Sequence, residues 1–207
     1  MRLNFKRKTA GLRHGIVKLL APKLYSNIMS ILEQINGTPR PMTLFMKEYF
    51  KTSQLVGAEI GVFKGDNALN ILQELSIKKL FLVDPYLPYM EGDTQVFPEE
   101  AEETARQKLS QYNQAVFIKK MSADAVKDIS EPLDFVYIDG NHDYEHVKLD
   151  IKLYYPLVKQ AGVVGGHDYY VNHIFGVVQA VNEFALKHGN FYIASPDWWL
   201  IKKKAET

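Results

Sequence analysis

Six side chains able to carry acid–base, ionic or metal chemistry stand at or just beyond the ends of short apolar runs: Glu59, Asp84, Asp139, His142, His167 and Asp168. The first lies in Val56-Gly-Ala-Glu-Ile-Gly-Val-Phe-Lys-Gly-Asp66, where an apolar run passes through Gly61 and Gly65 into a helical pattern. Glycines here let backbone approach a ligand closely, and N–H groups at a helix start favour an anion. The spacing is G-x-x-x-G with an acid two residues ahead, unlike the G-x-G-x-x-G of dinucleotide sites. A pyrophosphate gains nothing from Glu59, whereas an ammonium group does.

A ligand with both a carboxylate and an amine, such as the methionine half of S-adenosylmethionine, therefore suits this turn better than NAD. Twenty-five residues after Glu59, Leu80-Phe-Leu-Val-Asp84 ends a second run in an acid. An acid there can accept hydrogen bonds from both ribose hydroxyls of an adenosine cofactor, or else serve the turn before Pro85.

Two further runs are Leu133-Asp-Phe-Val-Tyr-Ile-Asp-Gly-Asn-His142 and Gly162-Val-Val-Gly-Gly-His-Asp168. As neighbouring parallel strands, ~4.8 Å apart, they bring Asp139 and Asp168 side by side at the carboxyl edge, where open α/β sheets bind ligands. Paired carboxylates repel unless a cation or proton relieves them, so Mg²⁺ or another divalent cation is expected on Asp139 and Asp168, with His167 as a further ligand. His142 lies above the same edge, where an imidazole of pKa ~6.5 can remove a proton near neutrality. The stretch His142-Asp-Tyr-Glu145-His146 also matches the H-x-x-E-H zinc peptidase pattern, which needs both histidines on one helix. Asp139-Gly140 ends a strand immediately before His142, which places the helix start at or after that histidine.

These residues need a scaffold, and the pattern supplies one. Apolar runs at 55–62, 79–83, 115–118, 133–138 and 162–165 alternate with helical stripes such as Ala68/Ile71/Leu72/Leu75 and Val147/Ile151/Tyr154/Val158. Such alternation predicts an α/β fold around a mostly parallel sheet covered on both faces. After a stripe from Ile174 to Phe184, the runs 191–194 and 198–201, joined by a Ser-Pro-Asp turn, read as a hairpin. Residues 85–95 read as a long loop, and a helix is expected from Pro98 with Glu99, Glu100, Glu102 and Glu103 in its first turns. Leu44, Phe45, Tyr49 and Phe50 mark a short helix before the sheet.

The 207 residues are 46% hydrophobic and 24% charged, an ordinary globular composition, and the absence of cysteine excludes disulfides and thiolate chemistry. The longest stretch without Asp, Glu, Lys or Arg, residues 169–182, falls short of the ~20 apolar residues a membrane span needs. The net charge of +1 hides seven Lys or Arg and no acid in residues 1–32, which leaves −6 for the remainder. Lys18 and Lys23 interrupt any secretory core, so the leader is expected to be retained and the protein cytoplasmic. Its amphipathic helix from Leu24 to Ile35 reads as packed on the main domain or exchanged with a second subunit, in a homo-oligomer. The alternative is a basic surface for peripheral contact with an anionic membrane or partner. Because the positive charge is confined there, no nucleic acid is expected as substrate. Tyr86, Tyr89, Tyr169, Tyr170, Trp198 and Trp199 offer either core or the lining of an acceptor pocket.

Taken together, Glu59-Ile-Gly-Val-Phe-Lys-Gly65, Val83-Asp84-Pro85, Ile138-Asp-Gly-Asn-His142-Asp-Tyr and Gly165-Gly-His-Asp168 resemble the class I S-adenosylmethionine-dependent methyltransferases. The nearest branch includes macrocin and mycinamicin sugar O-methyltransferases and cephalosporin-hydroxylase-like proteins. The resemblance implies a Rossmann-like, doubly wound sheet of seven strands in order 3-2-1-4-5-7-6, strand 7 antiparallel, spanning residues 54–207 after an N-terminal helical extension of residues 1–53. It further implies that Glu59, Gly61 and Gly65 hold the methionine end, Asp84 the ribose, and Ser122 and Ala123 the adenine, with Asp139 beside the cofactor. A metal on Asp139, His167 and Asp168, and His142 as base, would then serve methyl transfer to a small-molecule or saccharide hydroxyl. His167-Asp168 departs from the two consecutive acids of several metal-using relatives. A catalytically silent binding subunit is the non-enzymatic alternative.

Overall fold

The computed structural model describes residues 39–51, 54–91, 94–169, 175–189 and 191–203. The expected helix from Leu24 to Ile35, and Tyr170, lie outside them. Helix α1 (Pro41–Phe50) precedes β1 (Leu55–Ile60), α2 (Asp66–Glu74) and β2 (Ile77–Val83). A small hairpin, β3 (Tyr89–Glu91) and β4 (Thr94–Val96), leads to α3 (Ala101–Lys108), β5 (Ala115–Ile118) and α4 (Ser122–Ala125). Then come β6 (Leu133–Ile138), α5 (Tyr144–Tyr154), β7 (Val158–Gly166), α6 (Phe175–His188), β8 (Phe191–Ala194) and β9 (Asp197–Ile201).

Seven strands form one sheet in the order β5-β2-β1-β6-β7-β9-β8. Counted without the β3–β4 hairpin, this is the expected 3-2-1-4-5-7-6, and β9 runs antiparallel to both neighbours. Strand alternation sends successive side chains to opposite faces, and both faces are covered. Phe81, Val83, Val136, Ile138, Trp198 and Leu200 join Val147, Ile151 and Tyr154 of α5 and Val177 and Val181 of α6. On the other face Leu80, Leu82, Phe135, Tyr137 and Trp199 meet Met42 and Met46 of α1, Ile71 of α2 and Leu109. Two-sided burial explains why the strands read as continuous apolar runs rather than as alternating ones.

Several boundaries differ from the sequence expectation. Part of the loop at 85–95 pairs as β3–β4, and α3 begins at Ala101, leaving Glu99 and Glu100 before it. The strand expected at 162–165 extends over Val158–Gly166, with Ala161 at a positive φ of 61°. In α1 the buried face is Met42, Thr43 and Met46, whereas Leu44 is 45% exposed. Pro41 at the first helical position fixes that phase. Asp197, expected in a turn, opens β9 fully buried; it accepts the Met42 N–H at 2.9 Å and the Tyr137 hydroxyl at 2.8 Å. Of the aromatic residues that could be core or pocket lining, Tyr169, Trp198 and Trp199 are buried in the core.

Candidate active site

Backbone hydrogen bonds carry the sheet's ladder past the strand ends and line the chemistry up along one edge. Gly61 N–H donates to Val83 O, Asp139 N–H to Ile60 O at 2.7 Å, and His167 N–H to Ile138 O at 3.1 Å. Glu59, Asp84, Asp139, His167 and Asp168 are thereby brought to the carboxyl ends of four adjacent strands, as the sequence implied. Gly61, at φ +87°, is required twice over, because a Cβ there would also overlap the Asp139 carbonyl. Gly65 caps α2 in the left-handed region at φ +75° and lies close to Ala105 of α3.

Asp84 is more engaged than a free ribose acceptor would be. One of its oxygens takes the N–H groups of Val62 and Phe63, each at 2.9 Å, and the other takes that of Tyr86 at 2.7 Å. It therefore holds the glycine turn against the end of β2. Gly65 N–H in turn donates to Val62 O at 2.8 Å, so the turn's N–H groups at 61, 62, 63 and 65 are committed within the protein.

Glu59 is 1% exposed. Its Oε1 accepts from Asn67 Nδ2 at 2.8 Å, and among the described residues no atom partners its Oε2. Burial pushes its carboxyl up to about 8; the Asn67 hydrogen bond and the charge of Arg40 oppose this, while Asp139 and Asp84 add to it.

Ser122 and Ala123 lie beyond β5, whose end meets Asp84 through Asp84 N–H to Ile118 O. Ser122 faces α5: its carbonyl accepts the Tyr154 hydroxyl at 2.9 Å and its side chain bonds Asp150. Ala123 is exposed.

At the other end of the edge, Asp168 links two histidines. Its Oδ2 lies 2.9 Å from His142 Nε2 and 3.0 Å from His167 Nδ1, while Asp139 Oδ1 stands 3.9 Å and 3.7 Å from the same nitrogens. Burial alone would raise the Asp168 carboxyl, but the hydrogen bonds and charges of both imidazoles hold it well below the usual range. Burial likewise works to lower His167, and the carboxylates of Asp139 and Asp168 outweigh it, raising its pKa. Asp168 sits at φ +59°, a left-handed conformation that costs a non-glycine residue on the order of 1 kcal/mol and is characteristic of functional positions.

Ligand atoms of Asp139, His142 and Asp168 all lie within 4.8 Å of one another. Two carboxylates and an imidazole are a donor set for a hard or borderline divalent cation. His142, expected as base, thus completes the grouping for which the sequence reading used His167; His167 stays within reach of both acids. His142 lies before α5, while Glu145 and His146 are exposed on that helix. The H-x-x-E-H peptidase reading is overturned, because its two histidines do not share a helix.

Four residues escaped the sequence reading. Arg40, immediately before α1, places Nη2 3.9 Å from Asp139 Oδ2. Asn67 holds Glu59, and Asn141 donates from Nδ2 to Met90 O at 2.7 Å while its Oδ1 accepts the Asp143 N–H, clipping the β3–β4 hairpin to the His142 loop. Gly176 presses α6 onto that loop, since a Cβ would overlap His142 O and Tyr144 N. Only Asn141 falls within a motif, and nothing there marked it out; for Arg40 its place between Pro39 and Pro41 was the only signal. Gly176→Ala should cost about 1–3 kcal/mol in urea unfolding and displace His142. Wild-type stability in that variant would show that the loop yields freely.

Comparison with known proteins agrees with this fold. A protein of Acanthamoeba polyphaga mimivirus, R132, is 27% identical over 125 residues, 58% of this chain; the chain spans only 54% of that relative's length. The O-methyltransferase NovP superposes with a TM-score of 0.59 at 17% identity, covering 79% of this chain and 80% of NovP. The methyltransferase MycE of the mycinamycin pathway, solved with Mg, S-adenosylhomocysteine and mycinamycin VI, gives 0.52 at 15% identity over 79% of this chain and 48% of MycE. No helix among the described residues is long and apolar enough to cross a membrane. Residues 58–169, which run from Glu59's strand through Asp168, match the family described as a methyltransferase domain, and the chain belongs to that family on the class I, Rossmann-like fold.

Proposed function

We propose that this chain transfers a methyl group from S-adenosylmethionine to a hydroxyl of a small molecule or saccharide. The observation that carries the reading is the single edge on which a buried carboxylate with an unpartnered oxygen, Glu59, adjoins the Asp139/His142/Asp168 cluster. When bound, the sulfonium supplies an already activated methyl, and orientation and deprotonation are what the protein must add. Glu59 takes the ammonium of the methionine end and Asp84, through its remaining lone pairs, the ribose. Asp168 orients His142 through the 2.9 Å contact to Nε2, and His142 removes the acceptor's proton. The oxygen acceptor is supported by this acid-oriented base, which a hydroxyl needs.

Asp139 and Asp168 are the residues that would hold a divalent cation, whose contribution is to lower the acceptor's pKa. The distances also admit His142 as its third ligand, in which case His167, against the same two acids, is left to handle the proton. Neither nucleic acid nor a membrane is part of this proposal, and of the extension expected over residues 1–53, helix α1 belongs to the core of the catalytic domain.

The test is thermal denaturation with S-adenosylmethionine, S-adenosylhomocysteine or NAD, each with and without Mg²⁺. At 100 times Kd, a ligand should add ~2.7 kcal/mol, or about 5–10 °C in a chain of this size. A shift with NAD alone, or with none of the three, would count against the proposal. Labelled methyl transfer to a panel of glycosides and phenols, with and without EDTA, then identifies the acceptor class and the metal requirement.

A further inference from the structure

A buried nitrogen and a buried oxygen without partners share the methionine end of the edge. Among the described residues nothing partners Arg40 Nη1 or Glu59 Oε2. Helix α2 positions both groups from one face: Asn67 Nδ2 holds Glu59 Oε1, and one turn later Asn70 Oδ1 accepts the Arg40 backbone N–H at 3.2 Å. Asp139 stands 3.9 Å from Arg40 Nη2 and is bonded through its N–H to Ile60, the residue after Glu59, and the Arg40 and Glu59 charges act on each other. Tyr137, Asp139, Asp197 and Glu59 all act on the Arg40 charge. An acid oxygen and a guanidinium nitrogen left open in one place complement a group bearing both an ammonium and a carboxylate.

Four of the glycine turn's N–H groups, at 61, 62, 63 and 65, are already committed, which leaves it few donors for that carboxylate. A guanidinium forms two parallel hydrogen bonds to a carboxylate, which no single backbone N–H can do. We infer that Arg40 and Glu59 form a two-sided clamp for an amino-acid zwitterion, Arg40 taking the carboxylate and Glu59 the ammonium. Arg40 lies outside the region matching the methyltransferase domain family, so the family match does not assign it. The inference rests on the S-adenosylmethionine reading and names a cofactor-binding residue for it.

Calorimetry on the full chain tests the clamp with three ligands. S-adenosylhomocysteine carries the whole zwitterion, S-adenosyl-3-thiopropylamine keeps the amine without the carboxylate, and 5′-methylthioadenosine has neither. Wild-type protein should favour the first over the second by about 10- to 100-fold. Arg40→Met should erase that preference, weakening S-adenosylhomocysteine alone and leaving the other two within about two-fold. Equal weakening of all three ligands, or of none, overturns the clamp and leaves Arg40 as a charge partner of Asp139. Absence of the wild-type preference also overturns it, and needs no variant to fold. Failure of every adenosine ligand to bind wild-type protein would instead remove the cofactor reading beneath it.

Discussion

Asp139→Asn and Asp168→Asn should each lower methyl transfer by about 10³-fold while leaving the fold intact. Each substitution keeps the side chain's shape and removes its charge. At Asp168 the loss falls on two imidazoles at once, because one oxygen serves both His142 at 2.9 Å and His167 at 3.0 Å. At Asp139 it takes away the carboxylate that Arg40 and both histidines share. Mn²⁺ titration followed by electron paramagnetic resonance gives a readout independent of the acceptor, and either variant should bind at least about 10-fold more weakly. Unaltered, metal-stimulated turnover in both variants would refute the assignment of these acids.

Glu59→Gln should make the ligand-free protein more stable at pH 8, by an amount on the order of 5 kcal/mol. The folded carboxyl is raised to about 8 from an ordinary value of 4.5, with burial the main cause. A raised folded value means that the unfolded chain loses its proton first. Glu59's contribution is thus fully present below pH 4.5 and is lost progressively as pH rises toward 8. Gln keeps an oxygen for Asn67 and has nothing to titrate, so its urea midpoint should stay level across that window while the wild type's falls. Parallel curves would show that Glu59 is ionised in the ligand-free protein. The same group predicts a coupling on binding: near pH 7 an ammonium ligand should expel about one proton, seen as a binding enthalpy that depends on the buffer, and the Gln variant should expel none.

The sheet was legible because its central strands, β1, β2, β6 and β7, are buried on both faces over most of their length and carry an acid or histidine at or just beyond their carboxyl ends, so run and terminus were both visible in one dimension. Its closing hairpin was legible for a related reason, since two short runs without an intervening helix have few other ways to pair. Asp139, His142, His167 and Asp168 could be placed together once β6 and β7 were taken as neighbours, because parallel strands bring their carboxyl ends to one edge. The division of labour between the histidines was not legible, since it depends on which ring nitrogen reaches Asp168. The β3–β4 hairpin was invisible because three-residue strands carry no period. In α1, the apolar residues picked out included Leu44 and Tyr49, which are partly exposed, whereas Met42 and Met46 are buried in the cluster that holds Trp199. Arg40 has no motif, and its surroundings are assembled from α2, β1, β6 and β9.

The Asp197 carboxylate fastens the backbone two residues after Arg40 to the centre of the sheet, through Met42 on one oxygen and Tyr137 on the other. The stretch ahead of β1 is therefore not a detachable handle. A chain trimmed to begin at residue 54 would leave the Asp197 carboxylate without the Met42 N–H and uncover Trp199, against which the Phe45 ring packs.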